Sequence, residues 1–369
     1  MITVRDIATI LEEWAPREIA LERDTIGIQC GDPSAAVRGI LVALDVTEDV
    51  VREARRRHAS LIVTHHPLLF RPLSTVNTSG GTGRLLATLL EQQIAVIAAH
   101  TNIDFARGGT SFALAEALGL QDPVFLVQTS RLNAKIVTFV PASYADRVAK
   151  AMSDAGAGTI GNYTQCSFRL EGTGTFLGTS VSSPAVGTRG VFERVPETRL
   201  EMQVLRRDVP AVVHALKRTH PYEEVAYDVY PLENVHPDFG MGVIGTPGRP
   251  TTLAAFLGKI RRTLGSRGLR YCGTPATTLR SVAVCGGSGA ELLQQAIAGG
   301  ADAFVTADVK YHAYQEASGR IALVDAGHYE TELPVVAAIA ARLHRECAKH
   351  RTSISVRTTT TRTSPIAYV

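Results

Sequence analysis

The stretch Leu61-Ile62-Val63-Thr64-His65-His66-Pro67 places two histidines and a proline directly after a run of apolar and β-branched residues. Such a run predicts a buried strand, so the two imidazoles should lie at its carboxyl end, on the rim of a sheet. Binding sites of open α/β sheets are built at this edge. The stretch therefore predicts both the class of fold and the position of a functional site.

Strand and helix patterns alternate on both sides of this stretch. Before residue 124 we predict strands at 39–45, 61–64 and 94–99, with helices from residues 47, 83 and 110. After residue 233 the predicted strands are 281–285, 303–306 and 321–325, again separated by helical patterns. This rhythm is typical of a parallel α/β sheet. We predict one split α/β domain made of residues 1–123 and 234–369.

Residues 124–233 show a different order of elements. The predicted order is strand 135–141, helix 143–155, two strands around the turn 171–174, strand 199–205, helix 209–219 and strand 223–230. A β-α-β-β-α-β order is the signature of a ferredoxin-like α+β unit that can fold by itself. We therefore predict that residues 124–233 form a ferredoxin-like domain inserted into the α/β domain.

Composition excludes several classes of protein. The 369 residues are 45% hydrophobic and 20% charged, and 38 basic and 35 acidic side chains leave a net charge of +3, so nucleic acid is not an expected partner. No apolar run reaches the roughly 20 residues that span a bilayer, and the start of the chain lacks a secretory pattern. Five separated cysteines without a C-x-x-C pair argue against a disulfide framework. We expect a cytoplasmic protein without a membrane partner.

Three other segments place metal-binding side chains after predicted strands: 98–104, 306–312 and 325–332. With His65 and His66 they offer enough imidazoles and carboxylates for more than one divalent ion. His328 and Glu332 have i,i+4 spacing at the start of a predicted helix, so one ion could contact both. Asp104 could bridge two ions. Taken singly, Asp104 also suits a helix cap or a turn, Glu332 also suits a favourable acid in the first turn of a helix, and His100 also suits a packed histidine.

Lys310 and His312 follow the strand that ends near Thr306 and are candidate catalytic residues for substrate contact or proton transfer. The alternative is that both are ordinary surface residues. We expect Asp308 to cap the helix that carries them. The glycine-rich turn 286–289 joins a strand to a helix and could bind phosphate, or it could be a tight turn that needs small residues.

Five segments together are similar to one known family. They are 27–33, 43–47, 62–68, 100–104 and 327–332. They resemble the Nif-three-like dinuclear-metal-centre proteins, known as GTP cyclohydrolase 1 type 2 homologues, over nearly the whole chain. Residues 220–228 resemble the PII/CutA-like domain of the longer bacterial members. One departure is Asp24-Thr25-Ile26, where the family usually has a Trp-Asp-Asn-Val-like run.

The resemblance implies a toroidal homohexamer with two divalent metal ions per subunit, and zinc, iron and manganese fit the ligands about equally. Carried over motif by motif, the ligands would be His65, His66, Asp104, His328 and Glu332. The implied activity is a metal-dependent hydrolase, either opening the imidazole ring of a purine such as that of GTP or hydrolysing a nucleotide or phosphoester. The alternative is a regulatory assembly without catalysis, in which the insert senses a small molecule.

Overall fold

The computed structural model describes residues 1–130, 132–349 and 354–368. Its contacts divide the chain into two compact units, Met1–Gln128 with Pro237–Val369, and Thr129–His236. Both units combine helices and sheets, so the fold is mixed α/β as the sequence predicts.

The elements are numbered in chain order. The strands are β1 (Gly27–Cys30), β2 (Gly39–Ala43), β3 (Leu61–Thr64), β4 (Ala95–Ala98), β5 (Gln121–Gln128), β6 (Asn133–Val140), β7 (Phe168–Leu177), β8 (Phe192–Leu205), β9 (Tyr227–Leu232), β10 (Gly240–Thr246), β11 (Thr251–Thr252), β12 (Arg270–Cys272), β13 (Thr278–Leu279), β14 (Val282–Ser288), β15 (Ala303–Ala307), β16 (Ala322–Asp325) and β17 (Ser355–Thr358). The helices are α1 (Val4–Trp14), α2 (Glu48–Arg56), α3 (Gly81–Glu91), α4 (Thr101–Phe105), α5 (Thr110–Ala117), α6 (Ala145–Asp154), α7 (Val209–Thr219), α8 (Leu253–Leu264), α9 (Leu293–Ala298), α10 (Tyr311–Ala317), α11 (His328–Glu332) and α12 (Pro334–Lys349).

The first unit contains a five-stranded sheet in the order β1-β4-β3-β2-β17. The strands β17, β2, β3 and β4 run parallel, and β1 closes one edge antiparallel. Every residue of β2, β3 and β4 is buried. Apolar runs without alternation are what strands covered on both faces require. On one face, Leu41 and Ile62 pack with Val50 of α2 and Leu89 of α3.

The first unit also contains a six-stranded sheet in the order β12-β16-β15-β14-β10-β5. Its central strands β14, β15 and β16 are parallel, and the outer strands are antiparallel to their neighbours. Phe256 of α8 packs with Val305 on one face, and Phe304 packs with Leu293 on the other. The sequence pattern predicts the parallel strands but does not reveal that they belong to two sheets.

The second unit has a four-stranded sheet in the order β7-β8-β6-β9, in which every neighbouring pair is antiparallel. Along the chain its elements run β6, α6, β7, β8, α7, β9. The helices cover one face, where Val148 of α6 and Val212 of α7 pack with Leu200 and Met202 of β8.

One detail of the predicted second unit is wrong. The turn expected at residues 171–174 lies inside the continuous strand β7, which pairs with β8 along its whole length. Gly172 and Gly174 led to that expectation, because glycine is common in turns. Here both glycines are extended, and their partners across the ladder are Glu197 and Val195.

The carboxylate of Glu53 attaches the segment after β17 to helix α2. It accepts hydrogen bonds from the hydroxyls of Thr359, Thr360 and Thr361 and from the Thr360 N–H. It also pairs with Arg57, and only 2% of its side chain is exposed. Although burial opposes ionisation, these donors lower the pKa of Glu53 from 4.5 to about 2.

We expect the substitution Glu53→Gln to lower the free energy of unfolding by about 2 kcal/mol at neutral pH, because charge-assisted hydrogen bonds are lost. A carboxyl whose pKa is depressed by folding stabilises the fold above its unfolded pKa. That stability is lost as the pH falls from about 4.5 towards about 2. Urea unfolding at several pH values should show this acid dependence in the wild type and a weaker one in the variant. If the free energy of unfolding fell equally with pH in both proteins, Glu53 would not be the source of the acid dependence.

None of the helices in the described ranges combines the length and the hydrophobicity that a bilayer-spanning helix requires.

Candidate metal centre

His65 and His66 lie where the chain turns at the end of β3. The backbone N–H of His65 donates to Ala43 and that of His66 to Leu44, and the Thr64 hydroxyl donates to the His66 carbonyl oxygen. Neighbouring side chains of a regular strand point to opposite faces. The turn instead brings the two imidazole centroids to 5.0 Å from each other. The predicted pair of histidines at a strand end therefore faces one centre.

His100 joins this pair from the end of β4. Its ring centroid lies 5.3 Å from that of His65 and 5.6 Å from that of His66. The sequence left open a purely packing role for His100. The structure places a nitrogen atom of His100 within 4.8 Å of nitrogen atoms of both neighbours, in a group that could hold a metal ion.

His328 and Glu332 approach from α11, which follows β16. Nε2 of His328 lies 3.1 Å from Oε1 of Glu332 across one helical turn, as i,i+4 spacing predicts. The second carboxylate oxygen, Oε2, lies 2.9 Å from Nε2 of His66, and Oε1 lies 3.7 Å from Nε2 of His65. Glu332 is thus close to three imidazoles. Glu330, two residues earlier, points elsewhere and pairs with Arg362.

Asp104 reaches the same centre from α4, where its Oδ1 lies 3.6 Å from Nε2 of His65. Within the part of the chain that the structure describes, two buried atoms here have no hydrogen-bond partner, Nε2 of His65 and Oδ1 of Asp104. Leaving such groups buried and unsatisfied is costly. A bound cation is a partner that would satisfy both.

The other ring nitrogen of each histidine is engaged from outside the centre. The acceptors for Nδ1 are the Ala99 carbonyl for His65 at 3.0 Å, Asp45 for His66 at 2.7 Å, Asp24 for His100 at 2.9 Å, and Asp308 for His328 at 2.7 Å. A proton held on Nδ1 by such an acceptor leaves the lone pair on Nε2. Metal-binding histidines are oriented in this way.

The charges of the cluster favour cations. Burial opposes protonation of His66, but Asp45 and Glu332 raise its pKa to about 10. Glu332 also raises the pKa of His328 to about 9. The imidazoles hold the pKa of Glu332 well below its ordinary value despite burial, whereas burial raises the pKa of Asp104. Divalent ions would take the place of the protons that balance these carboxylates.

The spacing of the donor atoms also suits metal ions. A tetrahedral ion bound at about 2.1 Å separates its ligand atoms by about 3.4 Å. The four Nε2-to-carboxylate distances at the centre lie between 2.9 and 3.7 Å. Two overlapping groups, His65-His66-His100 and His66-His328-Glu332, each have ligand atoms within 4.8 Å of one another. The residues present therefore fit a metal centre.

Lys310 and His312 show no described contact with this cluster. Both are exposed, and Nδ1 of His312 lies 3.1 Å from Oε1 of Gln315 in its own helix. The expectation that Asp308 caps α10 is wrong. Lys310 occupies the N-cap position without a side-chain bond, while Asp308 has a left-handed backbone and accepts from His328.

The glycine-rich turn 286–289 makes room for Glu332. Gly287 has a φ of 65°, and a Cβ atom there would lie 2.2 Å from Oε1 of Glu332. The N–H of Gly287 donates to Thr331, and that of Gly289 donates to Thr306. Since these amides already have partners, the close approach to Glu332 explains the glycine better than phosphate binding does.

Four residues of the centre were not assigned from the sequence: His100 as a donor, and Asp24, Asp45 and Asp308 as hydrogen-bond acceptors of the histidine rings. Asp45 follows β2, and Asp24 precedes β1 in the segment that departs from the family pattern. The positions of Asp24 and Asp45 next to strands of the same sheet were the only indication in the sequence that they lie near the centre. This indication was weak, because an aspartate beside a strand is also common in turns.

The fold and the cluster define a class: an α/β protein whose histidines and glutamate could bind metal at the carboxyl ends of parallel strands. A family model described as Duf34/NIF3 (NGG1p interacting factor 3) matches residues 2–365, and the chain belongs to this family. The predicted resemblance to the Nif-three-like proteins is thereby confirmed.

Similar proteins agree with this assignment. A protein of Halalkalibacterium halodurans named GTP cyclohydrolase 1 type 2 homolog is 39% identical over 324 residues, which cover 87% of each chain. A Bacillus subtilis protein of the same name is 35% identical over 367 residues, covering 99% of this chain and 98% of the other. The crystal structure of a Bacillus cereus protein related to NIF3 is 38% identical, with a TM-score of 0.81 and coverage of 100% of this chain and 99% of the other.

Proposed function

We propose that this protein is a metal-dependent hydrolase with two divalent ions per subunit. The observation that supports it is the convergence of histidine nitrogens and carboxylate oxygens on one centre, where, among the described residues, Nε2 of His65 and Oδ1 of Asp104 are buried without a hydrogen-bond partner. His65, His66, Asp104, His328 and Glu332 would hold the ions, with His100 as a further donor. Zinc, iron and manganese all suit such a ligand set.

When bound, two such ions would polarise an electrophile and lower the pKa of water. The chain's own residues have separate roles. Glu332 and Asp104 would hold the ions through their carboxylates, and Glu332 is near donors of both groups. Asp24, Asp45 and Asp308 hold the imidazole rings in place. The centre is thus organised before substrate arrives.

The relatives' name, GTP cyclohydrolase 1 type 2 homolog, suggests opening of a purine imidazole ring. Hydrolysis of another nucleotide or a phosphoester uses the same chemistry. Phe70 supports a planar substrate, because its exposed ring lies 6.3 Å from that of His100. Lys310 and His312 remain proposed for substrate contact or proton transfer, since they follow Asp308, which is bonded to His328.

The test is a screen of nucleotides and phosphoesters with protein loaded separately with zinc, iron and manganese. We expect turnover of at least one substrate, its loss together with bound metal in His65→Ala, and a raised KM with normal metal content in Phe70→Ala. A loaded protein that turns over nothing in the screen would favour the regulatory assembly. Turnover that persists in metal-free His65→Ala would eliminate the proposal.

We also propose that the second unit is a ferredoxin-like, PII/CutA-like domain inserted near residues 124–233, and that the chain forms a homohexamer. The β-α-β-β-α-β order and the strand order β7-β8-β6-β9 support the domain assignment, and the family resemblance supports the hexamer. Light scattering on the purified chain tests the hexamer, since a stable monomer or dimer would contradict it.

A further inference from the structure

The second unit contains a cavity of about 720 Å³ that the proposed hydrolase does not use. Pockets of roughly 300–1,000 Å³ accommodate small organic molecules. Its floor is the face of the sheet opposite α6 and α7. Along β7, Leu170, Gly172, Gly174 and Phe176 share this face by alternation and line the cavity.

Two glycines create the depression. A Cβ atom on Gly174 would lie 2.0 Å from Oε2 of Glu197, so only glycine lets this carboxylate lie across β7. A Cβ atom on Gly172 would have no neighbour within 3.9 Å and would point into open space, since its nearest atom is the Glu197 carbonyl oxygen at 4.0 Å. Glycine inside a strand often marks a close approach of a ligand or of another group.

The motif His220-Pro221-Tyr222-Glu223-Glu224 builds the polar end. The buried His220 ring bonds through Nε2 to the Phe139 carbonyl oxygen at 3.0 Å and accepts the Tyr222 N–H on Nδ1 at 3.1 Å. This anchor directs the Tyr222 hydroxyl to Oε1 of Glu197, to which it donates at 2.8 Å.

The connection between β7 and β8 forms part of the wall. Pro184, Ala185 and Val186 of this connection contribute apolar lining. The backbone N–H of Ser183, in the same connection, donates to Glu223 at 2.5 Å. The motif therefore supplies both the polar end of the cavity and a bond to this wall.

The residues that line the cavity indicate the chemical class of ligand that it could bind. The carboxylates of Glu197, Glu223 and Glu224 line the cavity, and its Arg199 guanidinium already pairs with Glu201 at 2.9 Å. Such a surplus of acceptors repels phosphate and attracts N–H donors that carry positive charge. The rings of Phe139 and Phe176 provide flat apolar walls.

We propose that this cavity binds a flat aromatic or heteroaromatic molecule carrying an amidine, guanidine or ring-amine group, with its N–H donors on Glu197 and its ring among the apolar walls. The proposal does not depend on the metal centre. It assigns a ligand class to the insert and a role to the His220–Glu224 motif.

The test is calorimetric titration of the full-length protein with benzamidine and 2-aminobenzimidazole, with benzoate as the isosteric anion. We expect saturable binding of benzamidine, 2-aminobenzimidazole or both, with a dissociation constant of about 1 mM or lower. We expect no binding of benzoate. Binding should be unchanged after chelation of metal and in His65→Ala, which separates this proposal from the hydrolase.

Two variants locate the binding. Gly172→Val should lower the affinity at least about 10-fold, because its side chain fills the cavity while a β-branched residue suits a strand. Glu197→Gln should lower it by about 10-fold through loss of the charged acceptor. Asp154→Asn on α6 removes the same charge outside the cavity and should have no effect. Three outcomes would overturn the proposal. The first is undiminished binding by folded Gly172→Val and by Glu197→Gln, the second is equal binding of benzoate, and the third is no binding of either benzamidine or 2-aminobenzimidazole.

Discussion

Replacing Glu332 by glutamine should lower the affinity for divalent metal by at least about 100-fold. This is a larger loss of affinity than is typical for residues that only hydrogen-bond to a metal ligand. One carboxylate lies within 3.7 Å of Nε2 atoms of three histidines, so its negative charge serves both groups of donors. Glutamine keeps the shape but offers one weaker oxygen donor. Elemental analysis after dialysis against graded chelator measures the change.

The matched control is Glu330→Gln, the same substitution on the same helix. Glu330 is also buried, but it pairs with Arg362 and faces away from the histidines. We expect this variant to retain metal even if it is less stable. Equal loss of metal from both variants would assign the effect to helix α11 as a whole, and retention of metal by Glu332→Gln would contradict the proposed centre.

The second large decrease in metal affinity is expected from Asp45→Asn. Asp45 accepts from Nδ1 of His66 at 2.7 Å and from the Thr363 hydroxyl, and it is not itself a member of either group of donors. Without the carboxylate, His66 loses the charge that fixes its tautomer and orientation. Changes of this kind cost about 10–100-fold in metal affinity.

Competition with a chromogenic chelator measures this affinity for each variant. Asp49→Asn is the control, because Asp49 is exposed on α2 and pairs with Arg52. We expect Asp24→Asn to behave like Asp45→Asn, since Asp24 holds His100. Wild-type affinity in both Asp24→Asn and Asp45→Asn would show that the outer aspartates do not orient the rings.

The position of the centre could be predicted because strand ends are local features. The run Leu61–Thr64 followed by His65 and His66 identifies a buried strand and its polar end without any knowledge of the rest of the chain. The i,i+4 spacing of His328 and Glu332 is likewise a property of one helical turn. The match of the Duf34/NIF3 family model to residues 2–365 confirms the family that these segments resemble.

Sequence patterns were enough to identify buried strands that end in imidazole or carboxylate, and the family that the chain resembles. The contribution of His100 to the centre, the three aspartates that bond to its rings and the room that Gly287 makes for Glu332 became visible only in the folded chain. These residues are far apart in the chain, and strand pairing within each sheet brings them to their partners, whereas His328 and Glu332 reach His65 and His66 from the other sheet of the first unit. Local propensity carries no information about these contacts, because the same aspartate or glycine is equally suited to an ordinary turn.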